Sequence, residues 1–266
     1  MKLAVITPVK TPEELKGDIH YILAHMLFNP EYYKECYETS LYKLIDNSVH
    51  EGKEVPYIDY INHSINLSVD EIILQDVMNN ARATIERKES QLDLYEPYLR
   101  DAKIKKMFSI QGETINDILY CLNNGLNDPR IDTIGVSFTL TPKDFGESYY
   151  VNGFLNRAFV LEEISRVYAT LQQTKRKPIH MLGLNSWLEP VLYSKYPFIR
   201  SCDSKLLVRI SKFHYQNILD MFPMGKPSGE LDLDEPLSER ELDALTINLL
   251  ELKHHVHKME SLRRYL

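Results

Sequence analysis

The stretch Pro178-Ile-His-Met-Leu-Gly-Leu-Asn185, followed by Ile199-Arg-Ser-Cys-Asp203, decides the predicted fold. The first segment has the pattern of a buried strand that ends in a glycine turn. A helical segment separates it from a second short apolar strand. In a barrel of alternating strands and helices, reacting side chains are presented at the carboxyl ends of the strands. Asp203 ends the second strand, so we consider it as a nucleophile, a base or a metal ligand.

Short apolar runs of this kind recur along the chain. They are close to continuous rather than alternating, which is typical of parallel strands buried on both faces. We predict strands at residues 3–9, 19–25, 42–49, 71–77, 106–111, 133–138, 179–184 and 198–202, although 19–25 also fits the start of a helix. Helices are predicted at residues 12–15, 32–40, 79–98, 114–123, 153–172 and 187–194. This alternation in 266 residues favours a (β/α)8 TIM-like barrel over a doubly wound sheet.

The C-terminal part of the chain has a different composition. We assign residues 1–222 to the barrel and residues 223–237, rich in Pro, Gly and acidic side chains, to a linker. Ser238-Glu-Arg-Glu241 has the form of a capping box. It predicts a C-terminal helical extension, which we assign to residues 238–266.

The composition excludes several classes of function for this chain. The net charge of −7 excludes a global basic field that would attract nucleic acid, so polynucleotide binding would need a local patch. Three widely spaced cysteines indicate neither a disulfide framework nor a cysteine zinc site. No apolar run has the length of a signal peptide or of a membrane span. We therefore expect a cytoplasmic protein with no membrane partner.

Polar side chains follow several of the predicted strands. They are Asp46, Asp76, Gln111 with Gly112, and Asp203. A single Asp after a strand is more often a helix cap or a turn residue than a catalytic group, but three of them favour a site. The set fits an oxygen-ligated divalent metal or substitution at a sugar anomeric carbon. A metal would prefer histidines at strand ends, and His180 begins its strand instead, so we favour a site without metal or cofactor.

These segments resemble the tRNA-guanine transglycosylase superfamily over roughly residues 42–209. Ile110-Gln-Gly112 and Ile134-Gly-Val136 are similar to the family's Val-Gln-Gly segment and its later Ile-Gly-Gly-Leu strand. Met181-Leu-Gly-Leu184 and Ile199-Arg-Ser-Cys-Asp203 resemble its Leu-Met-Gly-Val-Gly segment and the strand that carries its nucleophilic aspartate. Leu44-Ile-Asp46 resembles the Leu-Thr-Asp of the acid/base residue, and Asp76 falls where the family has a base-recognising aspartate.

The resemblance implies that Asp203 is the nucleophile and Asp46 the acid/base residue. It implies that a purine base is bound by Asp76, Gln111, Gly112 and the backbone of Gly135 and Val136. Lys205 and Arg209 could hold flanking phosphates, although an ion pair at the edge of the core is equally compatible with Arg209. Aromatic candidates to stack on the base are Tyr42, Phe108 and Tyr149.

The chain also departs from the family pattern. Asp46-Asn-Ser-Val-His-Glu51 replaces the family's Asp-Ser-Gly-Gly-Phe-Gln, and the cysteine-rich zinc site is missing. The remainder is similar to the reduced transglycosylases of phages and bacterial islands, which place 7-deazaguanines in DNA. We therefore expect a base-exchange enzyme whose partners are a 7-deazaguanine base and nucleic acid, DNA rather than tRNA.

Three alternatives remain open at this point. The substrate could be tRNA, or water could replace the incoming base in a nucleosidase or deglycosylase that acts on modified guanine nucleosides. The third alternative is a barrel that only binds a nucleobase or a partner protein. The presence of Asp203 disfavours it, because such a protein has no need of this residue. The sequence carries no signal for an oligomeric state.

Overall fold

The structure is a computed structural model that describes residues 1–49, 51–140, 142–145, 153–184, 186–213, 218 and 231–262. Eight parallel strands form a closed barrel in the order β1 to β8. Their bounds are Lys2–Val5 (β1), Ile19–Leu23 (β2), Tyr42–Asp46 (β3), Glu71–Ile73 (β4), Lys105–Ile110 (β5), Thr133–Ser137 (β6), Ile179–Leu182 (β7) and Ile199–Ser204 (β8).

Helices alternate with these strands. The α-helices are Pro30–Glu38 (α1), Tyr57–Asn66 (α2), Ala81–Asp101 (α3), Ile115–Asn127 (α4), Gly153–Thr170 (α5), Leu188–Tyr193 (α6), Leu206–Phe213 (α7) and Glu239–Leu262 (α8). Short 3-10 helices lie at Glu13–Lys16, Ala24–Phe28, Lys143–Phe145 and Gln173–Lys175. The predicted (β/α)8 barrel with a C-terminal helix is confirmed.

Side-chain caps begin several helices where the sequence places them. Asn29 accepts the N–H groups of Glu31 and Tyr32 at the start of α1. Thr114 forms a capping box with Asp117 at the start of α4. Before α8, the Ser238 N–H and hydroxyl donate to Glu241 Oε2 at 2.7 and 2.8 Å, as the sequence predicts. The linker assigned to residues 223–237 and the helix end beyond Leu262 lie largely outside the described residues.

The chain divides into two compact units. The first unit comprises Met1–Ile22, Met26–Lys43 and Gly183–Leu266, and the second comprises Leu23–His25 and Leu44–Leu182. In the first unit, β1 pairs with β8 so that Ala4 lies opposite Asp203. A small apolar cavity lies between one face of this strand pair and α8. Its lining includes Leu252 of α8 and the strand residues Leu3, Val5, Cys202 and Ser204. Because alternate residues of a strand point to opposite faces, Asp203 lies on the face away from α8.

In the second unit, β4, β5, β6 and β7 pair in parallel in that order. Ser109, Gly135 and His180 lie side by side on these strands and share one face. The opposite face is covered by helices, since a Cβ on Gly125 of α4 would lie 2.6 Å from the ring of Phe108. Ser109 and its neighbours on the same face therefore point away from the helices.

Candidate functional site

Asp203 is a buried carboxylate near the carboxyl end of β8. The residue as a whole is 2% exposed. The N–H of Gly183 donates to Asp203 Oδ1 at 3.0 Å, and Gly183 follows directly after β7. The arrangement therefore holds one carboxylate oxygen in a fixed position, which is what an attacking nucleophile or a general base requires.

Asp46 is the last residue of β3, and it is half-buried. Its Oδ1 accepts the N–H of Ser48 at 3.3 Å. Ser48 has a positive φ of 61°, and its Oγ accepts the N–H of His25 at 3.3 Å. Asp46 therefore shapes the turn after β3 in addition to presenting a carboxylate. Burial raises the pKa of the Tyr60 hydroxyl well above its usual range, and the charge of Asp46 adds to this effect.

Asp76 and Gln111 are brought into direct contact. Gln111 Nε2 donates to Asp76 Oδ2. Burial raises the pKa of the Asp76 carboxyl, while the side chains of Gln111 and Ser109 oppose the rise. Gln111 Oε1 accepts the N–H of Asn79 at 3.0 Å. The ends of β4 and β5 thus hold one hydrogen-bonded cluster.

The two predicted glycines occupy tightly packed positions. A Cβ on Gly112 would lie 2.6 Å from the backbone nitrogen of Ile118, so close approach of α4 requires a glycine there. A Cβ on Gly135 would lie 2.9 Å from Leu182 Cδ1. Val136 is fully buried and, by strand alternation, points to the face opposite Gly135. At these positions, only backbone groups could contact a base.

Lys205 and Arg209 lie beyond β8 and are both half-buried. Lys205 directly precedes α7, and the Ser204 hydroxyl accepts the N–H of Leu206 at 2.9 Å to cap that helix. Arg209 lies one turn into α7, with its N–H bonded to the Lys205 carbonyl at 3.0 Å. Phosphate binding by either residue stays a prediction.

The aromatic residues considered for base stacking have other surroundings. Tyr42 begins β3, at the opposite end of the strand from Asp46, and its ring lies 5.9 Å from Lys2 Nζ. Phe108 is 1% exposed on the helix-covered face, with Lys88 Nζ 5.3 Å from its ring. These surroundings favour a packing role for both residues over stacking on a base. Tyr149 lies outside the described residues.

The structure adds polar groups that the sequence reading missed. Ser109 contacts Asp76, and the Gly183 N–H contacts Asp203. Arg157 of α5 is 0% exposed and donates from Nη1 to the Leu182 carbonyl at 2.9 Å. A buried guanidinium needs such partners, because an unpaired charge in the interior is costly. Arg157 therefore ties α5 to the carboxyl end of β7.

Asp203, Lys205 and Arg209 belong to the first unit. The other predicted site residues belong to the second unit and are Asp46, Asp76, Gln111, Gly112, Gly135 and Val136. Among the described residues, no group of three or more His, Cys, Asp or Glu side chains could hold a metal ion. None of the described helices combines the length and apolar character needed to cross a bilayer.

Neither a protein-family model nor a curated protein sequence matches this chain.

Proposed function

We propose that this chain is a base-exchange transglycosylase, a pentosyltransferase that replaces guanine by a 7-deazaguanine derivative in DNA. The observation that carries the proposal is the buried Asp203 carboxylate near the carboxyl end of β8 in a parallel barrel. Enzymes of this fold take their reacting side chains from the carboxyl ends of strands. The resemblance of residues 199–203 to the nucleophile strand of the tRNA-guanine transglycosylase superfamily supports the assignment.

Asp203 acts as the nucleophile. Its carboxylate attacks C1′ of the target nucleotide, so an ester bond forms while the bond from C1′ to N9 of guanine breaks. Guanine leaves with the bonding electron pair, and N9 takes up the proton of Asp46, the acid/base residue, which is left as a carboxylate. The N–H of Gly183, 3.0 Å from Asp203 Oδ1, orients the carboxylate for attack.

Asp46 acts as the general base for the second half of the exchange. It takes the N9 proton of the incoming 7-deazaguanine as N9 attacks C1′ and Asp203 leaves as a free carboxylate. Two displacements at C1′ give overall retention of configuration. The Ser48 N–H, 3.3 Å from Asp46 Oδ1, orients the Asp46 carboxylate before any ligand binds.

Asp76 recognises the Watson–Crick edge of the base. A carboxylate offers acceptors to the N1–H and 2-amino groups of guanine, and 7-deazaguanine has the same edge. One recognition site can therefore take both the leaving and the incoming base. The backbone of Gly112, Gly135 and Val136 would complete the hydrogen bonds to the purine.

DNA is favoured over tRNA because the chain lacks the cysteine zinc site of the tRNA enzymes. Its three cysteines, Cys36, Cys121 and Cys202, are all free and buried. The target nucleotide would be flipped out of the duplex, at a cost of a few kcal/mol. Lys205 and Arg209 would contact the flanking phosphates.

A second candidate is a nucleosidase or deglycosylase that acts on modified guanine nucleosides, with water as the second nucleophile. The net charge of −7 favours it, because an acidic protein repels a polyanionic substrate. The role of Asp203 as the first nucleophile would be the same.

Mass spectrometry of nucleic acids separates these functions. DNA and tRNA from cells that express the protein and are supplied with a 7-deazaguanine would be digested to nucleosides and analysed. Modified deoxynucleosides support the proposal, and modification of tRNA alone contradicts the choice of DNA. Release of free guanine from nucleosides without base incorporation would favour the hydrolytic candidate.

Asp203→Asn tests the nucleophile directly. We expect the variant to lose the covalent adduct with a guanine-containing oligonucleotide, detected by mass spectrometry of the intact protein, while base binding measured by calorimetry changes little. Asp59→Asn, at an exposed position of α2, is the control and should keep the adduct. Adduct formation by Asp203→Asn at the wild-type level would place the nucleophile elsewhere.

A further inference from the structure

Gln111 has both ends of its side-chain amide engaged within the protein. The residue is 2% exposed. Nε2 donates to Asp76 Oδ2, and Oε1 accepts the Asn79 N–H at 3.0 Å. A side-chain amide offers two N–H donors and one carbonyl oxygen. One donor and the carbonyl oxygen therefore organise the segment that follows β4.

That segment, residues 74–80, has no regular secondary structure, so its shape depends on such bonds. Asn79 has a positive φ of 58°, a backbone conformation that costs energy for a residue with a side chain. Thr84 of α3 binds the N–H and the carbonyl of Val77 at 2.9 and 3.0 Å. Of the bonds that hold the segment, the one from Gln111 reaches the Asp76 carboxylate itself.

We propose that Gln111 is a positioning residue that fixes the Asp76 carboxylate and the turn at Asn79, and that its amide does not read the base. The inference rests on the proposed function only in that Asp76 contacts the base. It assigns base specificity to Asp76 and backbone groups, and it gives Gln111 a different role from the one that the family resemblance implies.

The physical consequence of losing Gln111 falls first on Asp76. Burial disfavours the ionised carboxyl, and the Gln111 N–H is one of the groups that favour it. Removing this donor leaves the carboxylate less stabilised and free to rotate. Every ligand that binds through Asp76 would then lose affinity, whichever groups it carries elsewhere on the ring.

The test compares guanine with 6-thioguanine, which keeps the N1–H and 2-amino groups but carries sulfur, a much weaker hydrogen-bond acceptor, in place of the 6-oxo group. Gln111→Met, similar in shape but without hydrogen-bonding ends, should weaken both ligands by the same factor, about tenfold, in calorimetry. If the amide reads the 6-oxo group, Gln111→Met weakens guanine alone, which overturns the proposal. In an Asp76→Asn background, a positioning residue has nothing left to hold, so Gln111→Met should cause no further loss.

A second readout needs no base binding. The pKa of Asp76, measured by carbon NMR and assigned with Asp76→Asn, should rise by about one unit in Gln111→Met. Gln91→Met is the matched control, because Gln91 bonds the same segment at Gln75, at 3.1 and 3.2 Å. It should leave the Asp76 pKa unchanged. An unchanged pKa in folded Gln111→Met rejects the positioning role.

The two measurements separate the failure of this inference from the failure of the proposed function. If the wild-type protein binds no purine but the Asp76 pKa responds to Gln111→Met, the positioning role stands and the base-exchange proposal falls. If purines bind and the Asp76 pKa does not respond, the positioning role of Gln111 falls and the base-exchange proposal stands.

Discussion

Gly183 joins a backbone requirement to a functional contact in one residue. Its φ of 63° lies in the left-handed region, where a residue with a Cβ is strained. Its N–H donates to Asp203 Oδ1 at 3.0 Å. The glycine therefore permits the turn after β7 that aims this N–H at the carboxylate.

Gly183→Ala should lower the free energy of unfolding by about 1 kcal/mol in urea denaturation, because alanine resists a positive φ. It should also reduce the rate of base exchange by about tenfold or more, since the donor to Asp203 shifts.

Gly52→Ala is the matched control for this variant. Gly52 has a similar φ of 65° and is exposed, and an added Cβ would meet nothing within 4 Å. It should lose similar stability and keep the exchange rate. Equal exchange rates in the two variants would contradict a role for the Gly183 N–H.

At the residue scale, the sequence predicts the candidate carboxylates but not the groups that contact them. Asp203 and Asp46 were recognised because each ends an apolar run. Ser109 was within reach, since it precedes Gln111 by two residues and strand alternation puts both on one face. Arg157 was not, because a charged residue in an amphipathic segment carries no signal that packing will bury it.

At the element scale, apolar runs located every strand but overstated most lengths. The run predicted over residues 3–9 overlaps β1, which spans Lys2–Val5. Val9 lies beyond the strand and is still buried, at 1% exposed. An apolar run therefore marks burial, and only part of the buried backbone pairs with a neighbouring strand.

Two helices were missed for reasons of local composition. Helix α2, Tyr-Ile-Asp-Tyr-Ile-Asn-His-Ser-Ile-Asn, is rich in β-branched, aromatic and Asn residues, which have low helix propensity. Helix α7 is short and its first residues are continuously apolar, like a strand. In α2, tertiary contacts outweigh local preference, and Tyr60 makes the most specific of them.

Tyr60 links α2 to two strands. It is fully buried, and its hydroxyl lies 2.8 Å from the Ile45 carbonyl and 3.0 Å from the Ile73 carbonyl. The same oxygen accepts the Ile73 N–H at 3.1 Å. The pairing of β3 with β4 includes Leu44 opposite Glu71, so the hydroxyl bridges these strands further toward their carboxyl ends.

Tyr60→Phe should lower the free energy of unfolding by about 1–3 kcal/mol, because the buried Ile73 N–H loses its acceptor. Urea denaturation measures the loss, and amide hydrogen exchange at Ile73 should become faster than in the wild-type protein.

Tyr57→Phe is the control for this prediction. The Tyr57 hydroxyl is buried and has no hydrogen-bond partner among the described residues, while its ring lies 5.8 Å from that of Tyr60. Its removal should leave stability unchanged or slightly higher. A similar loss in both variants would contradict a specific stabilising role for the hydroxyl bridge of Tyr60.

At the scale of the whole molecule, alternation of strands and helices was enough to predict the closed barrel. The division into two units was not predictable. Its boundaries fall inside β2, after Ile22, and inside β3, after Lys43. Neither boundary coincides with the end of a strand, and contact between distant segments, which one sequence does not reveal, separates the residues within each strand.

The free energy of unfolding should depend on pH through one buried histidine in the first unit. His20 is 3% exposed, and its Nε2 lies 3.9 Å from Cys36 Sγ. Burial lowers its pKa from 6.5 to about 3, helped by the positive charges of Lys16 and Lys43 and opposed by Glu13. The folded protein therefore holds His20 neutral over a range in which the unfolded chain binds a proton.

The sign of the pH dependence follows from these pKa values. The contribution of His20 to stability is fully present above pH 6.5 and is lost as the pH falls toward 3, which amounts to about 2 kcal/mol at pH 5. His20→Gln cannot take up the proton, so its loss of unfolding free energy between pH 7 and pH 5 should be smaller than in the wild-type protein by this amount. Urea denaturation at both values measures the difference. His257→Gln, at an exposed position of α8, should retain the wild-type dependence, and if His20→Gln retains it too, the proton is taken up elsewhere in the chain.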